Sequence, residues 1–246
     1  MNNTLKLKNV SIFYDLKHGQ ELTAVNNFTY EFKKNKKYAI VGYSGCGKTS
    51  LVKAIVGSLV FDGEIFIDEL PIESVPIKDR KISYVSQDIT LYRHLTIYDN
   101  IVFPLRNSNV DHEEADLKVK EIAKKLNIYY LLTRKPKQIS IGQAARVAIA
   151  KSLVNKNDIL IFDEPFANLD VLHSSRCLKV ISEYAKEYGS TLIFITHNIK
   201  DILNFADYIL VMNDGKLIGE FTPHSFLKSE NEVVKNLKED LSNEKE

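Results

Sequence analysis

The 246-residue sequence predicts an α/β fold: a mixed, mainly parallel sheet with an N-terminal antiparallel β subdomain and an inserted α-helical subdomain. Three observations predict it. Short apolar runs with little alternation, at 38–41, 82–85, 158–162 and 191–195, suit parallel strands covered on both faces. The first segment alternates instead, as a half-exposed antiparallel strand does. Between Tyr38-Ala39-Ile40-Val41 and a helical pattern over Ser50 to Val56 lies a glycine-rich turn, Gly42-Tyr43-Ser44-Gly45-Cys46-Gly47-Lys48-Thr49.

The elements follow in order. Leu5 and Leu7, then Val10, Ile12 and Tyr14 after a one-residue slip, give the first strand, with 28–32 and 64–67 as its companions. From about 88 to 150 the pattern is mostly helical, with Asp111-His112-Glu113-Glu114 starting a helix that runs through Leu126. This stretch lies between two core strands and reads as an insertion. Residues 171–188 form a helix ended by Gly189. Asn213-Asp214-Gly215 between Tyr208–Val211 and Lys216–Ile218 signals a hairpin. One domain is expected over 1–228, followed by a charged tail at 229–246 whose only apolar residues are Val233, Val234, Leu237 and Leu241. That tail is expected to be a frayed, solvated helix, with a small docking surface as the alternative.

Composition narrows the function classes. Thirty-three basic against 32 acidic side chains leave a formal charge of +1, which gives no support to a nucleic-acid partner. Cys46 and Cys177 are far apart and outside any C-x-x-C pair, so a disulfide framework or zinc site is not expected and a reducing cytoplasm suits them. The N-terminus lacks the apolar stretch of a signal peptide. No apolar run approaches the ~20 residues of a membrane helix. The protein is expected to be soluble, with any membrane spans carried by other chains.

The chemistry is carried by spacing. Gly42 to Thr49 fits G-x-x-x-x-G-K-[ST], with a strand before it and a helix after it. Its glycines let backbone N–H groups turn onto a triphosphate, and the helix N-terminus adds its positive end. Lys48 can reach the β- and γ-phosphates, and Thr49 can hold Mg²⁺. Asp158-Ile159-Leu160-Ile161-Phe162-Asp163-Glu164-Pro165 is an apolar strand ending in two acids. Asp163 suits the Mg²⁺ shell, and Glu164 suits a general base that polarises water. Burial makes such a pair expensive without a role. Gln87 follows the strand Lys81 to Ser86. Ile139-Ser140-Ile141-Gly142-Gln143 opens a helix, and His197 ends the strand Thr191 to Thr196.

In this order the motifs resemble the nucleotide-binding subunit of ABC transporters, over nearly the whole chain. The resemblance implies a P-loop NTPase core. It assigns 42–49, with Ser50 beside it, to Walker A, and 158–164 to Walker B with Glu164 as the catalytic glutamate. Gln87 matches the Q-loop glutamine that touches Mg²⁺, and Ile139 to Gln143 the signature usually written LSGGQ. Ala167-Asn168-Leu169-Asp170 matches the D-loop and His197 the switch histidine. Tyr14 falls where members stack a ring on adenine, and also reads as a packed strand residue. Ser140, Gly142 and Gln143 are implied to face the γ-phosphate held by a second subunit. Ile141 stands where the signature usually has its first glycine. A β-branched residue resists positive φ and adds bulk near the phosphate, so the site it completes is either impaired or tolerant of the change.

What the resemblance implies is an ATPase at the cytoplasmic face of the cell membrane. It would use ATP and Mg²⁺, pair with a second ATPase subunit, and drive separate permease subunits. The segment 91–106 is similar to its counterpart in bacterial import ATPases, which points to import with a solute-binding protein. An exporter, a lipoprotein-release type and a soluble non-transport ATPase are the alternatives. The chain ends soon after Phe226, so the long C-terminal regulatory domain of some sugar importers is expected to be absent.

Overall fold

The computed structural model describes residues 5–106, 108, 110–196 and 198–243. The chain begins with β1 (Leu5–Asp15), β2 (Glu21–Phe32), β3 (Lys37–Val41), α1 (Lys48–Ile55), β4 (Asp62–Ile67), β5 (Leu70–Pro71) and β6 (Ile82–Val85). Then come α2 (Ile97–Val102), α3 (His112–Lys125), α4 (Ile141–Leu153), β7 (Ile159–Asp163) and α5 (Val171–Tyr188). It closes with β8 (Thr191–Ile195), α6 (Ile199–Phe205), β9 (Tyr208–Asn213), β10 (Lys216–Phe221), α7 (Pro223–Lys228) and α8 (Glu232–Asn243). Two compact units form, Met1–Ile82 with Thr191–Glu246, and Ser83–Ser190.

In the first unit, β2-β1-β4-β5 make an antiparallel sheet. The slip in the alternation of β1 is a set of register shifts between Leu7 and Phe13, with Asn9 at φ 50. Leu5, Leu7, Val10 and Ile12 are buried on both sides of those shifts. A second sheet holds β3 in parallel register with β8 on one side and β9 on the other. Because β3 is covered throughout, its residues after Lys37 are apolar without alternation, as a central parallel strand requires. β10 pairs antiparallel with β9 through the predicted Asp-Gly turn, with Asp214 and Gly215 at φ 46 and 74.

The second unit holds α2 to α5 with β7 and most of β6. It runs beyond the helical stretch predicted over about 88–150, taking in β7 and α5. Asp111 caps α3 through the Glu113 amide, as its sequence position foretold. α5 spans the predicted 171–188 and ends at Gly189. Among the described residues no helix is long and apolar enough to cross a membrane.

The tail differs from the expectation. It is not a frayed, solvated helix: Val234 and Leu237 of α8 are buried, and α8 packs on α6. The spacing of two apolar residues was a weak sign in sequence, but α6 supplies the surface that receives them.

Candidate functional site

The phosphate loop of the first unit is shaped by close backbone packing. Gly47, at φ 99, is the N-cap of α1, and a Cβ there would meet the Ala24 carbonyl oxygen at 2.1 Å. No side chain caps α1. Its first-turn N–H groups are left for an anion, and their partial positive charge favours one. Lys48 is buried and folded back over the loop. Its ammonium donates to the carbonyls of Gly42 at 2.7 Å and Tyr43 at 2.9 Å. Ser44 and Gly45 form the exposed tip. Thr49 and Ser50 stand in the first turn of α1, and the Ser50 hydroxyl lies 3.1 Å from the Tyr14 hydroxyl. Tyr14 is half-buried at the end of β1, its ring tied to the helix that bears the loop.

Cys46 corrects an expectation. A thiol next to Lys48 at a helix N-terminus is expected to have a lowered pKa if it is accessible, and to be inert if it points into the core beneath the loop. Here it is 5% exposed and points beneath the loop, 3.7 Å from the Lys48 ammonium. Burial pushes its pKa up, and the opposing pull of Lys48 is the smaller effect. Cys177 is buried too, and its thiol is pushed up to about 12 by burial. Neither thiol should therefore react with a thiol reagent in the native state. Ellman titration should count close to none before denaturation and both cysteines after it. Rapid reaction of Cys46 in folded protein would contradict this.

In the second unit, β7 delivers the two acids. Asp163 is 1% exposed and accepts from the Tyr84 hydroxyl of β6 at 3.2 Å. Burial and this carboxylate together raise the Tyr84 pKa well above its usual range. Glu164 sits at φ 47, a left-handed conformation uncommon outside glycine, which turns its side chain out of the strand register. Its carboxylate accepts from the Gln87 side-chain amide at 3.3 Å. Neither the Tyr84 nor the Gln87 contact has a sequence signature, since each joins residues more than 75 positions apart.

The Ser140 segment is the start of α4. Ser140 Oγ accepts from the Gln143 amide at 3.2 Å while Gln143 Oε1 accepts from the Ser140 amide at 2.9 Å, a reciprocal cap. Arg146, one turn on, is buried and donates to the carbonyls of Leu126 and Asn127, which fixes α4 against the end of α3. Gly142 is required by close approach: a Cβ there would stand 2.8 Å from the Asn168 carbonyl oxygen. Asp170 caps α5, and its carboxylate is held below its usual range first by the His173 amide and then by the His173 ring. Ile141 takes no positive φ. It is the first residue of α4 and 66% exposed, so its β-branch strains nothing in the helix. His197 lies outside the described residues.

The oxygen donors Thr49, Asp163 and Gln87 suit a hard cation such as Mg²⁺. Among the described residues no three His, Cys, Asp or Glu side chains gather into a cage.

A strand, a phosphate loop and a helix in this geometry define a P-loop nucleotide-binding fold. The ABC transporter family model matches residues 25–167, more than half of the chain, and the chain belongs to that family. It is 40% identical over 195 residues to the molybdate/tungstate import ATP-binding protein WtpC of Pyrococcus abyssi, covering 79% of this chain and 57% of that one. It is 38% identical to the trehalose/maltose import ATP-binding protein MalK of Thermococcus litoralis, covering 80% and 55%. The chain thus spans less than two thirds of the length of these relatives. Among solved structures, the dimeric post-hydrolysis state of the ATP-binding cassette MJ0796 bound to ADP and Pi superposes with a TM-score of 0.82 at 28% identity. That match covers 89% of this chain and 98% of the cassette.

Proposed function

We propose that the chain is the ATP-binding and ATP-hydrolysing subunit of a transporter that imports a solute through separate permease subunits. The observation that carries the reading is the phosphate loop, with the uncapped α1 N-terminus and the buried Lys48 ammonium converging on it. The similarity to the import ATP-binding proteins WtpC and MalK supports the direction of transport. The site at the cytoplasmic face of the membrane follows from that partnership, with a solute-binding protein as a further partner.

In this reading Tyr14 stacks on adenine, and the amides from Gly42 to Ser50 bind the phosphates. Lys48 stabilises charge on the β- and γ-phosphates as the bridging P–O bond lengthens. Water attacks the γ-phosphorus in line, and Glu164 takes its proton. Gln87, bonded to Glu164, orients that carboxylate, and His197 holds the γ-phosphate. Thr49, Asp163 and Gln87 would hold Mg²⁺, which neutralises charge on the phosphates. Ser140, Gly142, Gln143 and Asp170 serve the ATP bound by a second ATPase subunit, so closing on ATP and opening after hydrolysis supplies the two-state element. The test is phosphate release from ATP by the purified chain. Turnover should require Mg²⁺ and stop with a chelator. No ATP binding and no phosphate release would overturn the reading.

A further inference from the structure

Two neighbouring strands of the second unit each carry half of one arrangement. β7 ends in Asp163 and leads into Glu164, while β6 carries Tyr84 and leads into Gln87. The contacts run in the same order. The Tyr84 hydroxyl donates to Asp163 Oδ2 at 3.2 Å, and the Gln87 side-chain amide donates to Glu164 Oε2 at 3.3 Å. The segment 84–87 thus grips both acids. Packing alone does not call for a hydroxyl at position 84. A phenylalanine would cover the same apolar surface, whereas a phenol hydroxyl taken out of water costs free energy unless it is bonded. Asp163 is 1% exposed, so the protein and not bulk water decides how its carboxylate lies. A carboxylate only accepts, and Tyr84 offers it a neutral donor. A Lys or Arg in that place would bring a positive charge that competes with a divalent cation. The phenol fixes the carboxylate plane without neutralising it.

We propose that Tyr84 is a positioning residue, whose hydroxyl holds the Asp163 carboxylate aligned for Mg²⁺ before the nucleotide arrives. This rests on the reading of Asp163 as a Mg²⁺-holding acid. In this role the hydroxyl acts through Asp163 and not on the substrate. Hydrogen-bond partners of ligating carboxylates set the affinity of a metal site without touching the metal. The two ties then divide the work: Tyr84 holds the acid that serves the cation, and Gln87 holds the acid that serves the attacking water.

The test uses the full chain with ADP, which is not turned over. The probe is Mn²⁺, which shares the preference of Mg²⁺ for oxygen donors and whose free ion is counted by paramagnetic resonance. Tyr84→Phe keeps the ring and removes the hydroxyl. It should weaken Mn²⁺ binding in the presence of ADP by about 10-fold, the lower end for a lost partner of a metal ligand. ADP binding in chelator should stay the same. In ATP turnover the half-saturating Mg²⁺ concentration should rise in parallel, and excess Mg²⁺ should restore the rate. Tyr184→Phe is the control, because it strips another hydroxyl of this unit, one that donates to the Asn155 carbonyl at 2.7 Å ahead of β7. It should lower the thermal midpoint and leave Mn²⁺ binding at the wild-type level. Wild-type Mn²⁺ affinity in Tyr84→Phe, or an equal loss in Tyr184→Phe, would overturn the positioning role. If the wild-type chain binds ADP but no Mn²⁺ with it, the reading of Asp163 falls, and the proposal with it.

Discussion

Glu164→Gln should lower ATP turnover by about 10²- to 10⁴-fold, the range for loss of a positioned general base, while ATP still binds. The substitution keeps the shape of the side chain, and its amide oxygen can still accept from Gln87. What is lost is the ability to take a proton from water. With hydrolysis blocked, ATP should hold the two-subunit form, seen as a larger species in gel filtration with ATP and not with ADP. Phosphate release near the wild-type rate would remove Glu164 from the role of base.

Lys48→Ala should act earlier, on binding. On the proposed reading it deletes a charge-assisted contact to phosphate worth about 1.5–3 kcal/mol, or roughly 10- to 100-fold in nucleotide affinity. It also strips the donor from the carbonyls of Gly42 and Tyr43, so the loop loses its internal tie. Calorimetric titration with ATP should show the weaker binding, and thermal unfolding should show a lower midpoint. An unchanged affinity would contradict a direct phosphate contact. The two variants separate cleanly: one binds without turning over, the other fails to bind.

The sequence made the phosphate loop legible because all its determinants are contiguous. Gly42, Gly47, Lys48 and Thr49 are spaced by the geometry of one turn, and a strand and a helix must flank it. The parallel strands, the α5 boundaries and the Asp214-Gly215 hairpin were legible for the same reason. Side-chain direction inside the loop was not. Whether Cys46 faces solvent or the core is decided by packing beneath the loop, and adjacency to Lys48 pointed the other way. At Ile141 the sequence left impairment and tolerance both open, and the segment is an ordinary helix start closed by Ser140 and Gln143. The packing of α8 on α6 joins separate parts of the chain, and no local pattern announces such a pairing.

The phosphate loop is also supported from far along the chain. The Gly215 amide donates to the Cys46 carbonyl at 3.1 Å, and the Gly215 carbonyl accepts from the Asn26 amide at 2.9 Å. β3, which launches the loop, has both its partners, β8 and β9, after residue 190. A ribosome therefore finishes the phosphate-binding motif long before it makes the strands that give the motif its shape. During synthesis the emerging chain carries a complete set of nucleotide-binding residues without a cradle. Long-range parallel pairing of this kind is slow to form and leaves apolar strands exposed while it waits. On this topology the loop takes its shape only after β8 and β9 have been made and have paired with β3.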